Sequence, residues 1–337
     1  MSVRRRPTRV PLAISMGDPA GIGPEVTLKA ISRRGVCTTI EPVLVGDPGV
    51  FADAARRLGL SLDFVELGTR TGARRIATVA TSQLAPSQRH PGSPRSAARA
   101  AACGEAAYRA IVRAVQLVRE GRATGLVTAP IAKAHLVAAG HDFPGHTELL
   151  AELCGGVPVR MMMAGPRLRV VLVTIHMALA QVPEHIDRAG VEETIAITAK
   201  ALRQQFGLKQ PRIAVAGLNP HAGEGGLFGS EERRIIAPAV QAMRRRGVEV
   251  AGPLAADGIF AQAAQDGYDA VICMYHDQGL GPFKLLHFAD GVNVTLGLPF
   301  PRTSPDHGTA FDIAGRGSAD PRSMIAALKL AAELGRR

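Results

Sequence analysis

The chain has 337 residues, 46% of them hydrophobic, and a formal net charge of +11 from 40 Lys and Arg against 29 Asp and Glu. That length suits two lobes of α/β type better than one ordinary domain, and the apolar share excludes a disordered chain. The basic excess is overwhelmingly Arg scattered through predicted helices, with runs only at Arg4-Arg5-Arg6 and Arg244-Arg245-Arg246; without Trp and with few aromatics to stack on bases, no nucleic-acid partner is expected.

Residues 10–15 read as a first strand, followed by the glycine-rich turn Gly17-Asp18-Pro19-Ala20-Gly21-Ile22-Gly23-Pro24-Glu25. Pro24 and Glu25 suit the first turn of a helix running to about residue 34. A second strand at 42–45 leads through Gly46-Asp47-Pro48 into a helix to about residue 58, and residues 62–95 are weakly patterned. Residues 96–119 predict a long helix, with Ala100, Cys103, Ala107, Ile111, Val115 and Val118 spaced for one face. A strand at 125–128 is followed by a helix to about 139 and a turn over 140–145. The next helix is opened by His146-Thr147-Glu148, where Thr147 suits an N-cap.

Residues 159–164 and 168–175 read as a strand pair around Gly165-Pro166, which makes the sheet mixed. Helices at about 190–206, 230–246 and 257–266 alternate with apolar runs at 213–218 and 269–274. A strand at 292–296 and a helix at 321–333 close the chain. This alternation predicts α/β layers on a largely parallel sheet. Cys37, Cys103, Cys154 and Cys273 are widely spaced, as free thiols in a reducing compartment are, and the apolar runs are too short for a signal peptide or membrane span. The expectation is a cytoplasmic protein with no membrane partner.

Three apolar runs end in histidine: His176, His221 and His276, the last within Tyr275-His276-Asp277-Gln278-Gly279. Ligands of open α/β sheets gather beyond the C-terminal strand ends, and three neutral imidazoles suit Zn²⁺ or another borderline divalent ion. Each histidine taken singly also fits a hydrogen-bonded structural role. The glycine-dense segment 219–232 suits either close approach of an anion or a plain loop capped by Ser230. Neither it nor Gly17–Gly23 fits G-x-G-x-x-G, so a Rossmann fingerprint is absent. Gly145-His146-Thr147-Glu148 sets an imidazole beside a hydroxyl at a helix start. Lys284, Asn293 and Arg302 are the donors a phosphate or carboxylate wants. The polar stretch 302–317 reads as a loop leading into a short helix, with Gly308 and Gly315 permitting close backbone approach.

Together, the segment 17–25 and the Gly-His-Thr-Glu, Asn-Pro-His-Ala-Gly-Glu, Tyr-His-Asp-Gln-Gly and Arg-Thr-Ser-Pro-Asp-His-Gly-Thr-Ala motifs resemble the 4-hydroxythreonine-4-phosphate dehydrogenase family of pyridoxal phosphate biosynthesis. The likeness covers nearly the whole chain. It implies two α/β/α lobes like those of isocitrate and isopropylmalate dehydrogenases, with the active site in an interlobe cleft at a dimer interface. The implied lobes are residues 1–130 with 305–337, and residues 131–304, which form the metal, substrate and dimer contacts. The resemblance also implies a divalent metal, Zn²⁺, Mg²⁺ or Co²⁺, on His176, His221 and His276, with His276 coming from the partner of a homodimer. Substrate contacts would come from His146, Thr147, Lys284, Asn293 and Arg302. NAD or NADP would sit on His307, Gly308, Asp312 and Gly315.

The implied reaction oxidises the C3 hydroxyl of 4-phosphohydroxy-L-threonine to 2-amino-3-oxo-4-phosphooxybutanoate, which decarboxylates to 3-amino-2-oxopropyl phosphate. Asp257 and Asp277 are candidates for proton transfer or for supporting the ligands, and the general base is left open. A catabolic branch acting on 4-phospho-D-threonate or 4-phospho-D-erythronate is the nearest alternative, since Asp18 occurs in both branches. A third branch, acting on the cis-dihydrodiol of terephthalate, ranks last because Gly-His-Thr-Glu is kept here. An inactive metal-binding dimer is the alternative from a different class.

Overall fold

The computed structural model describes residues 9–72 and 74–337, so the Arg4-Arg5-Arg6 run lies outside the described residues. The chain folds as two compact units. One runs up to Val157 and resumes as Leu298–Arg336; the other is Pro158–Gly297.

The first unit carries six parallel strands in the order β3 (Asp63–Glu66), β4 (Arg75–Ala80), β2 (Ile40–Gly46), β1 (Val10–Ser15), β5 (Gly125–Thr128), β12 (Arg302–Pro305). β1 pairs with β2 from Val10↔Ile40 and with β5 from Leu12↔Gly125. β5 is buried at every residue, so both of its faces are covered, as central parallel strands require. The long helix Ala97–Arg119 is capped by Ser96, whose hydroxyl accepts the Arg99 N–H, and buries Cys103, Ala107, Ile111 and Val115 as their spacing predicts.

The second unit orders its strands β11 (Val292–Leu296), β6 (Arg160–Ala164), β7 (Arg169–Leu172), β10 (Ala270–Cys273), β8 (Ile213–Ala216), β9 (Val250–Leu254). β11–β6–β7 pair antiparallel and β7–β10–β8–β9 parallel, so the α/β fold is mixed and largely parallel. Its core gathers Met163, Val170, Leu172, Ala214, Val271, Leu280 and Phe283. Burial of each large apolar side chain contributes about 1.5–3 kcal/mol. Among the described residues no helix is long and apolar enough to cross a membrane.

Four elements differ from the sequence reading. Arg302–Pro305 is a strand, buried throughout, although none of its residues is a β-branched or aromatic hydrophobe. No helix forms in the stretch after it before Arg322–Leu334. Val250–Leu254, which the sequence reading left unassigned, is a strand despite containing Gly252-Pro253. Tyr275 ends β10's extension and His276–His287 is a helix, although Gly279, Gly281 and Pro282 are poor helix formers. Packing decides that case. Leu280 and Phe283 join the core, and a Cβ on Gly279 would stand 2.9 Å from the Cys273 sulfur, so only glycine lets the helix lie this close.

Candidate active site

In the first unit, β12 brings Arg302 beside β5, where its guanidinium donates to Thr128 Oγ1 at 2.6 Å. Arg302 is 2% exposed, and burial lowers its pKa to about 9. His146 opens the helix His146–Leu153 with Gly145, in extended backbone, at the cap; Thr147 lies inside the helix instead of capping it. The His146 Nε2 is shut off from solvent without a hydrogen-bond partner. Burial first, and then the Arg302 charge, push the imidazole well below its ordinary pKa. A neutral imidazole beside a fixed guanidinium is a donor set for an anionic oxygen.

The polar stretch after β12 is a chain of turns. Its carbonyl at Thr309 accepts the Ile22 N–H from the glycine-rich turn at 2.9 Å. Gly315 has φ +78° and a Cβ there would meet Pro91 Cγ at 2.2 Å, so the fold itself requires that glycine. Gly308 has no such neighbour and no positive φ, so the space beside its Cα is open, while its carbonyl lies 3.1 Å from His307 Nδ1. His307 Nε2 is buried without a partner, while Asp312 is exposed. An orphaned imidazole nitrogen and open space beside a glycine fit a polar cofactor. Missed from the sequence was the buried pair Asp18–His135, joined at 2.6 Å, with Phe311 of the same stretch 5.2 Å from the His135 ring.

In the second unit, the pairing of β7 with β10 continues past both strands. The Val173 N–H donates to the Cys273 carbonyl, and the Thr174 hydroxyl donates to Met274 at 2.7 Å. This carries His176 and His276 to the mouth of one open pocket, lined also by Leu179, Tyr275 and Asp277, with ring centroids 5.7 Å apart. Two imidazoles on one ion, with Zn–N bonds near 2.0–2.1 Å, put their centroids about 5–6 Å apart, a spacing these rings have within one chain, whereas the resemblance offers His276 to the partner's ion. Asp277 Oδ1 holds His276 Nδ1 at 2.7 Å and leaves Nε2 for a ligand, which is how a carboxylate orients a metal-binding imidazole.

His221 follows β8, with Asp257 Oδ2 3.8 Å from its Nδ1, beyond hydrogen-bond reach. Among the described residues no three His, Cys, Asp or Glu side chains of one chain come together as an ion site, so the structure joins His176 with His276 and does not add His221. Lys284 is half-buried on the helix His276–His287, its Nζ 5.9 Å from the Phe288 ring, and half-buried Asn293 lies on β11. At the start of the segment 219–232 the Glu232 carboxylate turns back on the chain. The Leu218 and Asn219 N–H groups already donate to the Glu232 carboxylate, and Ser230 lies outside the helical turn, whose cap residue is Glu231.

The family profile described as "Pyridoxal phosphate biosynthetic protein PdxA" matches residues 38–331. A 4-hydroxythreonine-4-phosphate dehydrogenase of Geobacter metallireducens is 50% identical over 335 residues, which cover 98% of this chain and 96% of that protein. The crystal structure of a 4-hydroxythreonine-4-phosphate dehydrogenase from Klebsiella pneumoniae superposes with a TM-score of 0.87 at 40% identity, covering 99% of this chain and 100% of that one. A terephthalate 1,2-cis-dihydrodiol dehydrogenase from Burkholderia xenovorans is more distant, with a TM-score of 0.67 and 29% identity over 97% of this chain and 98% of that one. Matched by the profile over most of its length and paired with such relatives from end to end, this chain belongs to the family of the pyridoxal phosphate biosynthetic protein PdxA.

Proposed function

We propose that the protein is a 4-hydroxythreonine-4-phosphate dehydrogenase of pyridoxal phosphate biosynthesis, dependent on a divalent metal and on NAD or NADP. The observation that carries this is the 50% identity to a relative of that name along 98% of the chain, with the pair His176–His276 poised at adjacent strand ends. His146, Thr147, Lys284, Asn293 and Arg302 would hold the anionic oxygens of the phosphorylated substrate. Arg302, anchored on Thr128, supplies a charge that cannot swing away.

The ion, Zn²⁺, Mg²⁺ or Co²⁺, would supply Lewis-acid stabilisation of charge at the C3 oxygen, and the nicotinamide would supply the hydride acceptor. Asp277 would fix the tautomer and direction of His276, and Asp257, 3.8 Å from His221 Nδ1, would support that ring in the same way. His307, Gly308, Asp312 and Gly315 would receive the NAD(P). Loss of CO₂ follows from the substrate's own chemistry, because the new C3 carbonyl lies β to the carboxylate and takes up the electron pair. A homodimer would complete the histidine set from a second copy, with His276 as the ligand offered to the neighbour. Its four free thiols suit a cytoplasmic enzyme.

The test is turnover of 4-phosphohydroxy-L-threonine beside 4-phospho-D-threonate and 4-phospho-D-erythronate, each with NAD⁺ and with NADP⁺. Activity on the amino acid is expected; activity on the sugar acids alone would overturn the reading.

A further inference from the structure

Two buried side chains hold the strand ends on which His221 and His276 stand. Gln278 is 8% exposed. Its carbonyl oxygen accepts the Met274 N–H just past β10, and its amide nitrogen donates to the Gly217 carbonyl just past β8, each at 2.7 Å. Regular pairing of these two parallel strands has already ended at Ile272↔Val215. One side chain therefore ties the strands together where the sheet no longer does.

Glu232 is 5% exposed and serves the segment that follows β8. Its Oε1 accepts the N–H groups of Leu218 at 2.8 Å and Asn219 at 2.7 Å, and its Oε2 accepts the Asn219 side-chain amide at 3.0 Å. Immediately beyond, His221, Ala222 and Glu224 take positive φ values of 52°, 53° and 40°. Left-handed backbone at a non-glycine residue costs on the order of 1–3 kcal/mol and persists only where its surroundings impose it. Glycine at 217 and at 223 lets the backbone close on the Glu232 carboxylate, where added Cβ atoms would lie 3.2 and 2.7 Å from its oxygens.

We propose that Gln278 and Glu232 are positioning residues: Gln278 fixes the turn that presents His276, and Glu232 the segment that presents His221, each imidazole being held for the ion it serves. This rests on the metal reading above. A purely structural role would lower stability and leave the metal affinity of the folded protein unchanged. A positioning role lowers the affinity itself, because a mobile ligand must be ordered when the ion binds.

The experiment measures Zn²⁺ affinity by competition with a chromophoric chelator on the full-length protein, with thermal melts to confirm folding and amide exchange at Leu218, Asn219 and Met274. Gln278→Met keeps the side-chain volume and removes both hydrogen bonds. Glu232→Ala removes three, and Glu232→Gln keeps one oxygen for both backbone donors. The expected result is about tenfold to a hundredfold weaker Zn²⁺ binding by Gln278→Met and Glu232→Ala, rescue by Glu232→Gln, and faster exchange at those amides. Wild-type affinity in folded Gln278→Met would overturn the proposal, even if Glu232→Ala failed to fold. A His176→Ala control separates the two claims. If its Zn²⁺ affinity equals wild type, the metal reading fails, and unchanged amide exchange in Gln278→Met then overturns the positioning claim on its own.

Discussion

The imidazole of His146 lies within reach of the buried Arg302 charge, and burial and that charge together hold it neutral well below its ordinary pKa. One fixed cation and one neutral donor attract an anion without the cost of burying two positive charges together.

This arrangement sets a pH dependence. The unfolded chain protonates at His146 as the pH falls through about 6.5, while the folded chain does not, so the unfolded state binds more protons in that window. Stability is therefore full above about 6.5 and falls as the pH drops toward the folded-state value, by about 1.4 kcal/mol per pH unit. His146→Asn is expected to flatten the melting-temperature profile between about pH 5 and 6.5. Equal acid slopes in the variant and wild type would contradict the burial of this imidazole.

Glu25 and Lys29, one helical turn apart, clamp the far end of the stretch proposed to receive the cofactor. Glu25 accepts the N–H groups of Gly317 and Ala319, and Lys29 donates to both carbonyls and to Glu25 itself. Glu25→Ala is expected to lower unfolding stability by about 1.5–3 kcal/mol, the range for hydrogen bonds to a charged group. It should raise KM for NAD(P) in initial-rate measurements and leave KM for the phosphorylated substrate unchanged. A rise in the substrate KM alone would count against a cofactor on this stretch.

His276 is half-buried at the start of its helix and outside the apolar core, so its removal leaves no core cavity. His276→Ala is expected to lose bound metal and activity together, by metal analysis after dialysis, with an unchanged circular dichroism spectrum. Full activity would reject the three-histidine set.

The parallel α/β character was legible because buried strands such as Ile213–Ala216 are continuous apolar runs between periodic helices. β12 was not, because Arg302-Thr303-Ser304-Pro305 is polar and becomes a strand only through its partner β5. The helix from His276 was hidden by Gly279, Gly281 and Pro282, of which Gly279 serves close packing. The histidines stood out because each ends an apolar run. Gln278 and Glu232 carried no comparable signal. Gln278 meets the Gly217 carbonyl 61 residues away and Glu232 the Leu218 N–H 14 residues away, and a sequence pattern shows a side chain's chemistry without showing which strand end it will meet.

Metal-dependent oxidative decarboxylation of 4-phosphohydroxy-L-threonine is tested most closely by a measurement of the stoichiometry of CO₂ against reduced nicotinamide. It is run on chelator-treated protein before and after Zn²⁺, Mg²⁺ or Co²⁺ is restored. No products are expected from the stripped protein, and equal molar yields of CO₂ and NAD(P)H once metal returns. Undiminished turnover in the stripped protein, or no turnover of this substrate with any of the three metals, would contradict it.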